Sequence, residues 1–210
     1  MTRSTRPHLS GAMRKQPRQE RSRATIKRIL DTATQLVEEV GYEAVADSPT
    51  LLLDNSGISR GSFYAFFETP EHVLDELSYR TLLDSVANLE TALAHSRGRG
   101  WTEIVDVLID LYTQEHRTPL IRELWVRQNL TRRVRSLDQL CIDEMAEHIL
   151  RAFKQHAPLF DQLLLIQCRV AIHTLERLFQ LAFTDDEEGD LATIAEAKIL
   201  LINYFAGYAD

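Results

Sequence analysis

Apolar residues recur every three to four positions along most of the chain and almost never alternate, a periodicity of helices and not of strands. Ile26, Ile29, Leu30, Ala33, Leu36, Val37 and Val40 make one stripe and predict a helix over 21–40, which Gly41 stops. Residues 42–47 read as a loop. Ser48-Pro49 predicts an N-cap followed by proline at the first helical position, and a short helix ending near 55–57. Ser59 caps a second short helix carrying Phe63, Phe66 and Phe67 on one side. Thr69-Pro70-Glu71 opens a long helix through Val73, Leu74, Leu77, Leu82, Val86, Leu89 and Leu93, which fades into a turn at 96–100.

Longer helices follow. The pattern predicts 102–116, then a shorter helix from Thr118-Pro119 that the stretch 132–136 interrupts. It continues with 137–156, broken by Pro158, then 159–183, an acidic loop at 185–190, and a last helix over 191–208. The predicted class is all-α, and no internal repeat is visible.

Charge divides the chain unevenly. Residues 1–30 hold nine basic side chains (Arg3, Arg6, Arg14, Lys15, Arg18, Arg21, Arg23, Lys27, Arg28) against Glu20 alone, a net of +8. With −7 overall, the remainder carries −15. A basic leader on an acidic body suits phosphate binding at one end and another task at the other. For residues 1–13 alone, a solvated tail explains the charge as well. No run approaches the roughly 20 apolar residues of a membrane span, and the start lacks the apolar stretch of a signal peptide, so a cytoplasmic location is expected. Cys141 and Cys168 share no metal-ligand spacing and read as ordinary buried thiols, with a redox pair as the sharper alternative. Glu144 and His148 lie four apart on one helical face, but nothing completes a metal set. There is no phosphate-binding glycine loop and no nucleophile elbow, so no enzyme, cofactor or metal is expected.

Two short helices meeting at Ser56-Gly57-Ile58 stand out. A helix enters the major groove only if one side stays uncovered, which requires a short helix braced by another. Leu52 and Leu53 can pack against Ile58, Phe63, Phe66 and Phe67, leaving Arg60, Gly61, Ser62, Tyr64 and Ala65 outward. Arg60 suits guanine edges or phosphate, Ser62 is a short donor or acceptor, Gly61 permits close approach, and Tyr64 can bond a phosphate. Periodicity alone leaves an ordinary helical hairpin with a solvated polar side equally open.

The residues of this stretch, Ser56-Gly57-Ile58-Ser59-Arg60-Gly61-Ser62-Phe63-Tyr64-Ala65-Phe66-Phe67-Glu68-Thr69-Pro70-Glu71-His72-Val73-Leu74, resemble the signature of the tetracycline-repressor (TetR) family. Gly61, Tyr64, Phe67 and Glu71 fall in its register, and Thr25, Ile29, Leu30, Ala33, Leu36, Gly41 and Tyr42 look like its first helix. The resemblance covers about 21–77. It implies an N-terminal three-helix helix-turn-helix DNA-binding domain (21–68) behind a basic arm expected to be disordered (1–20). A C-terminal helical bundle for ligand sensing and dimerisation (69–210) would follow. It further implies a recognition helix over 59–67 in which Arg60, Ser62 and Ala65 face bases, while Thr25, Ser48, Thr50, Ser59 and Tyr64 hold the backbone. Three departures stand out. The family's usual lysine before Glu71 is Pro70 here, its usual small residue at 53 is Leu53, and the loop over 41–48 is about two residues longer. Arg14, Lys15, Arg18 and Arg21 could supply the missing positive charge.

In the body, the predicted helix over 159–183 is apolar on two sides. One runs through Leu164, Cys168, Ala171, Leu175 and Leu178, and the other through Leu163, Ile166, Val170 and Thr174. The last helix offers Ala195, Ile199, Ile202 and Phe205. Such surplus suggests a homodimer bundle of two helices from each copy, with a fully internal helix as the alternative. Tyr112, His116, Trp125, Gln128, Met145, His148, His173 and Phe179 are the candidate pocket residues, each also explicable as core. No charge cluster points inward, so an apolar or aromatic effector is expected. The resulting expectation is a repressor released from a palindromic operator in double-stranded DNA by that effector. The alternative is a TetR-like dimer with weak or lost DNA binding, acting as a small-molecule binder or protein-interaction module.

Overall fold

The computed structural model describes residues 12–14, 19–95 and 100–209, and every regular element among them is helical. Helix α1 (Glu20–Val40) buries Ile26, Ile29, Leu30, Thr32, Ala33, Leu36 and Val37. It ends at Gly41, whose φ of 86° turns the chain while its N–H bonds the Val37 carbonyl. That turn starts a five-residue helix, α2 (Tyr42–Ala46), where a loop was expected. Val45 explains the difference, because the helical turn carries it into the core at 0 % exposure. Five residues are too few for periodicity to reveal. Ser48 caps α3 (Pro49–Ser56) by accepting from the Leu51 N–H at 3.2 Å, as the Ser-Pro pair predicts. Helices α4 (Arg60–Tyr64) and α5 (Pro70–His95) follow.

Further along are α6 (Thr102–His116) and α7 (Pro119–Ile121), which runs on as a π-helical turn over Arg122–Val126. The last three helices are α8 (Arg132–Lys154), α9 (Leu165–Ala182) and α10 (Leu191–Ala206). Two expected boundaries move. The stretch 132–136 does not break a helix but opens α8, where Val134 is buried and its N–H bonds the Thr131 hydroxyl at 3.3 Å. The break lies just before it, where Gln128 takes a φ of 60°. The helix expected over 159–183 begins only at Leu165. Turns precede it, held where the Lys154 ammonium donates to the carbonyls of Phe160 (2.9 Å) and Asp161 (2.8 Å).

The chain divides into two compact units, one running to Thr81 and taking in Asn129–Val134, the other comprising Leu82–Gln128 with the segment from Arg135 onward. The first is built on α1, α2, α3 and the Phe63 and Phe67 rings, whose centroids lie 6.1 Å apart. It also buries Asp75, which accepts from the Thr131 hydroxyl at 2.6 Å and pairs with Arg133 at 2.9 Å. In the second, α6, α9 and α10 pack together around two aromatic groups. Trp101, Phe153, Phe160 and Phe205 form one, and Tyr112, His116, Phe179 and Phe183 the other. Among the described residues no helix is long and apolar enough to cross a membrane.

Candidate nucleic-acid interface and ligand cavity

The turn between α3 and α4 is locked from within. Gly57 is left-handed at φ 60°, and its N–H bonds the Leu53 carbonyl at 3.1 Å. The buried Ser56 hydroxyl donates to the same carbonyl and accepts from the Ile58 N–H, both at 3.3 Å. Ser59 then caps α4, accepting from the Ser62 N–H at 3.2 Å and donating to the Ser62 hydroxyl at 2.9 Å. Ser62 thereby keeps its own proton for an outside acceptor. Phe63, Phe66 and Phe67 are buried, so they hold the short helix onto the core and leave its other side open.

On that open side Arg60, Gly61, Ser62, Tyr64 and Ala65 are all exposed. A Cβ added to Gly61 would meet nothing within 4 Å, so the chain itself does not demand glycine there. Tyr64 stands on the Phe63 ring, edge-on at 5.3 Å between centroids. The regular helix is shorter than the expected 59–67: Ala65, Phe66 and Phe67 close it as a tight turn onto the carbonyls of Gly61 and Phe63. Thr50 and Ser59 are exposed as well. Thr25 and Ser48 are half-buried and already engaged, Thr25 with the Arg21 carbonyl at 3.0 Å and Ser48 in its cap.

The departures from the family pattern have structural answers. Pro70 starts α5 behind Thr69, whose hydroxyl accepts from the His72 N–H at 3.3 Å. Leu53 fills core volume at 8 % exposure. Part of the arm expected to be disordered is packed: Ala12 is buried, the Arg14 N–H bonds the Phe66 carbonyl at 2.8 Å, and its guanidinium pairs with Glu68 at 3.3 Å. Arg21 is exposed, while Arg3, Arg6, Lys15 and Arg18 lie outside the described residues.

The second unit contains a cavity of about 50 Å³ lined from α5, α6, α7, the π-helical turn, α8 and α9. Of the eight candidate pocket residues it brings together Tyr112, His116, Trp125 and Met145. The other four lie elsewhere. Gln128 is exposed and its amide donates to the Trp125 carbonyl at 2.6 Å. His148 is half-buried away from the cavity, and His173 is exposed with Nδ1 3.3 Å from Glu176. Phe179 is fully buried against the Tyr112 and His116 rings.

What the sequence reading missed is charge: Glu115, Asp138 and Glu176 all line the cavity, against the expectation that no charged cluster points inward. Burial raises the pKa of Glu115 and of Asp138, and pushes Glu176 up to about 8 with help from the neighbouring Asp138. Burial holds His116 down to about 4, so it is neutral near pH 7. Both thiols are buried and raised, Cys141 to about 11 and Cys168 to about 12, which disfavours their thiolate forms. Among the described residues no group of three His, Cys, Asp or Glu could hold a metal ion.

Of the residues expected at a dimer interface, Leu163 and Phe205 are wholly buried in the chain's own core and cannot reach a partner. The helix starts after Leu163, and the Phe205 ring packs tilted against Phe153 with centroids 4.3 Å apart. Ile166, Val170, Ala195 and Ile199 are exposed, and Thr174 and Ile202 half-buried. Leu181, Leu191 and Leu200, which were not singled out, are also exposed.

Residues 99–208 match the family model described as tetracyclin repressor-like, C-terminal domain. No curated protein matches. Among solved structures, a TetR-family transcriptional regulator from Streptomyces coelicolor is similar at 27 % identity and a TM-score of 0.68, over 90 % of this chain and 99 % of that one. SmeT, the repressor of the Stenotrophomonas maltophilia multidrug efflux pump SmeDEF, shares the fold at 19 % identity and a TM-score of 0.65, over 91 % and 93 % of the two chains. FadR, a fatty acid degradation regulator from Bacillus halodurans, does so at 18 % and 0.65, over 90 % and 97 %.

Proposed function

This chain belongs to the tetracycline-repressor family of transcriptional regulators, and from that premise we propose that it is a cytoplasmic homodimeric repressor released from a palindromic operator by a small molecule bound in the second unit. The observation that carries the DNA half is the uncovered side of α4, with Arg60, Gly61, Ser62, Tyr64 and Ala65 exposed above a fully buried Phe63. Arg60 and Ser62 supply the donors for base edges. Tyr64, Ser59 and Thr50 supply phosphate contacts. Such a short helix makes few contacts, so a dimer that doubles them on two half-sites is the economical arrangement.

The dimer reading rests on exposed apolar residues of α9 and α10, including Ile166, Val170 and Ile199. The effector reading rests on the cavity, whose wall includes Leu82 and Ser85 of α5. That helix also holds Val73 and Leu74 in the core of the first unit. An effector that binds one position of α5 better than another shifts the spacing of the recognition helices and weakens both half-sites together. Fluorescence anisotropy with duplexes from the DNA upstream of the chain's own gene tests the reading. The expected result is saturable binding that Arg60→Ala weakens by about 5- to 150-fold, the cost of one good base contact of ~1–3 kcal/mol. Binding to no upstream duplex above the level of random DNA would leave the dimer as a small-molecule or protein-binding module.

A further inference from the structure

The effector cavity holds three carboxylates and no lysine or arginine. Resting on the reading of this cavity as the effector site, we propose that its ligand is an organic ammonium ion carrying an aromatic or apolar group, seated between Asp138 and Glu176 against the Tyr112 and Trp125 rings.

The hydrogen bonding of the wall argues for a donor. Glu115 is held on both oxygens, by Ser85 at 3.0 Å and Asn88 at 3.4 Å, and supplies fixed negative potential. Asp138 accepts from the Trp125 indole N–H on one oxygen at 3.2 Å, and its other oxygen has no partner among the described residues. Glu176 meets His173 through Oε2 alone. The Nδ1 of His116 lies 2.9 Å from the Tyr112 carbonyl, which can only accept, so that nitrogen carries the proton and Nε2 is left as an acceptor. The hydroxyl of Tyr112, a residue only 5 % exposed, finds no hydrogen-bond partner among the described residues. Besides that hydroxyl, the Gln180 amide and the proton that Glu176 holds below about pH 8 and releases to a bound cation, the polar side-chain atoms left open are acceptors.

Charge points the same way. Elsewhere in this unit several acids are paired with a lysine or arginine: Asp143 with Arg169 at 2.7 Å, Asp106 with Lys198 at 2.5 Å, and Glu187 with Arg122 at 3.2 Å. The cavity acids have no lysine or arginine partner among the described residues, and His173, 3.3 Å from Glu176, carries charge only when protonated. His116 does not compensate, because burial keeps it neutral. Unmatched carboxylates in a partly dry site oppose folding of the empty protein and are relieved by a bound cation. The three lie on three different helices and form no metal-binding group, which suits a diffuse ammonium rather than a metal ion. Two aromatic walls add cation–π attraction. The expected apolar or aromatic effector thus keeps its apolar part and gains a positive charge.

The test uses the full chain without DNA, titrated calorimetrically at pH 7.5 with four matched probes. Two are cations, 2-phenylethylammonium and benzyltrimethylammonium; 2-phenylethanol is the neutral probe and 3-phenylpropionate the anion. At least one ammonium should bind about tenfold or more tighter than 2-phenylethanol, with the anion weakest. Asp138→Asn and Glu176→Gln should each cost the ammonium about tenfold, leave 2-phenylethanol within about twofold, and raise the melting temperature of the empty protein at pH 9. The proposal is overturned by equal or better binding of the neutral or anionic probe, by no ammonium binding, by unchanged affinity in both variants, or by lower melting temperatures in both. These measurements involve no DNA and the anisotropy experiment involves no ligand, so either reading can fail without the other.

Discussion

Gly61 is the position at which the proposed recognition can be tested apart from folding. Because a Cβ there meets nothing of the chain, Gly61→Ala should change unfolding free energy by no more than about 1 kcal/mol, with a methyl that favours helix. If α4 enters DNA as proposed, the same methyl stands where the backbone approaches, so operator affinity should fall by about tenfold or more. Normal thermal melting with weakened anisotropy is the expected pair of results, and a weakened melt would mean the glycine serves the fold. Glu176 makes a second residue-level prediction. Its folded pKa, about 8, lies above its ordinary 4.5, so the folded state binds the extra proton between those values. Stability from this group is therefore complete below about pH 4.5 and is lost as pH rises toward 8. The titratable groups sharing its surroundings are Asp138, His173, Glu115, Tyr112, Cys141 and the neutral His116, and none of them is a permanent cation. Glu176→Gln should flatten this fall, gaining up to a few kcal/mol over the wild type at pH 9 and much less at pH 5, by denaturant titration.

The start of α8 is tied to α5 through a buried acid. Asp75 accepts from Thr131 and Arg133, and it is nearly inaccessible, with 4 % of its side chain exposed. Removing Arg133 leaves a buried charge with one hydroxyl partner, whereas removing the acid and the base together leaves no orphan. Arg133→Ala should cost about 1–3 kcal/mol, discounted because Arg133 is itself 40 % exposed. The double variant Asp75→Asn, Arg133→Ala should recover part of that loss. A double-mutant cycle by urea unfolding checks it, and strict additivity would show that the two side chains do not interact. Both α5 and α8 also reach the cavity, through Leu82 and Ser85 on one and Asp138, Cys141 and Met145 on the other. Under the proposed function, these helices would carry the effector signal.

Taken as a whole, the molecule concentrates +8 in its first 30 residues and −15 in the rest. Long-range repulsion between DNA and the acidic body therefore leaves binding to the basic end, and affinity should fall steeply with salt. Replacing Arg14, Lys15 and Arg18 by alanine should reduce the slope of log K against log salt by up to about 0.9 per charge lost and per protomer. Arg14 should contribute least, since it already faces Glu68 at 3.3 Å. An unchanged slope would remove the arm from the interface. Dimerisation is tested by Val170→Asp and Ile199→Asp, which place charges on side chains 44 % and 50 % exposed. Sedimentation should show monomers that melt within a few degrees of the wild type and bind the operator weakly. A dimer surviving both substitutions would locate the interface elsewhere.

The helical class, the caps at Ser48, Ser59 and Thr69, and the open side of α4 were legible from residue order. Periodicity and capping act within one or two turns, so neighbours in sequence suffice to set them. The family resemblance lay in 21–77, and the family-model match lies in 99–208, so the two rest on different parts of the chain. Short pieces escaped that logic. Helix α2 is too brief for a period, and the delayed start of α9 depends on Lys154 folding back onto carbonyls six and seven residues away. Leu163 and Phe205 looked like interface because an apolar stripe does not say whether its own chain or a second copy covers it. The cavity was hidden most completely. Glu115, Asp138 and Glu176 each sit on a different helix, and alone each reads as a solvated acid. Residue order dictates which helices form and which sides are apolar, because those are local energies. Which acids end up sharing one dry space is decided only when distant helices pack, since charge and burial act through space.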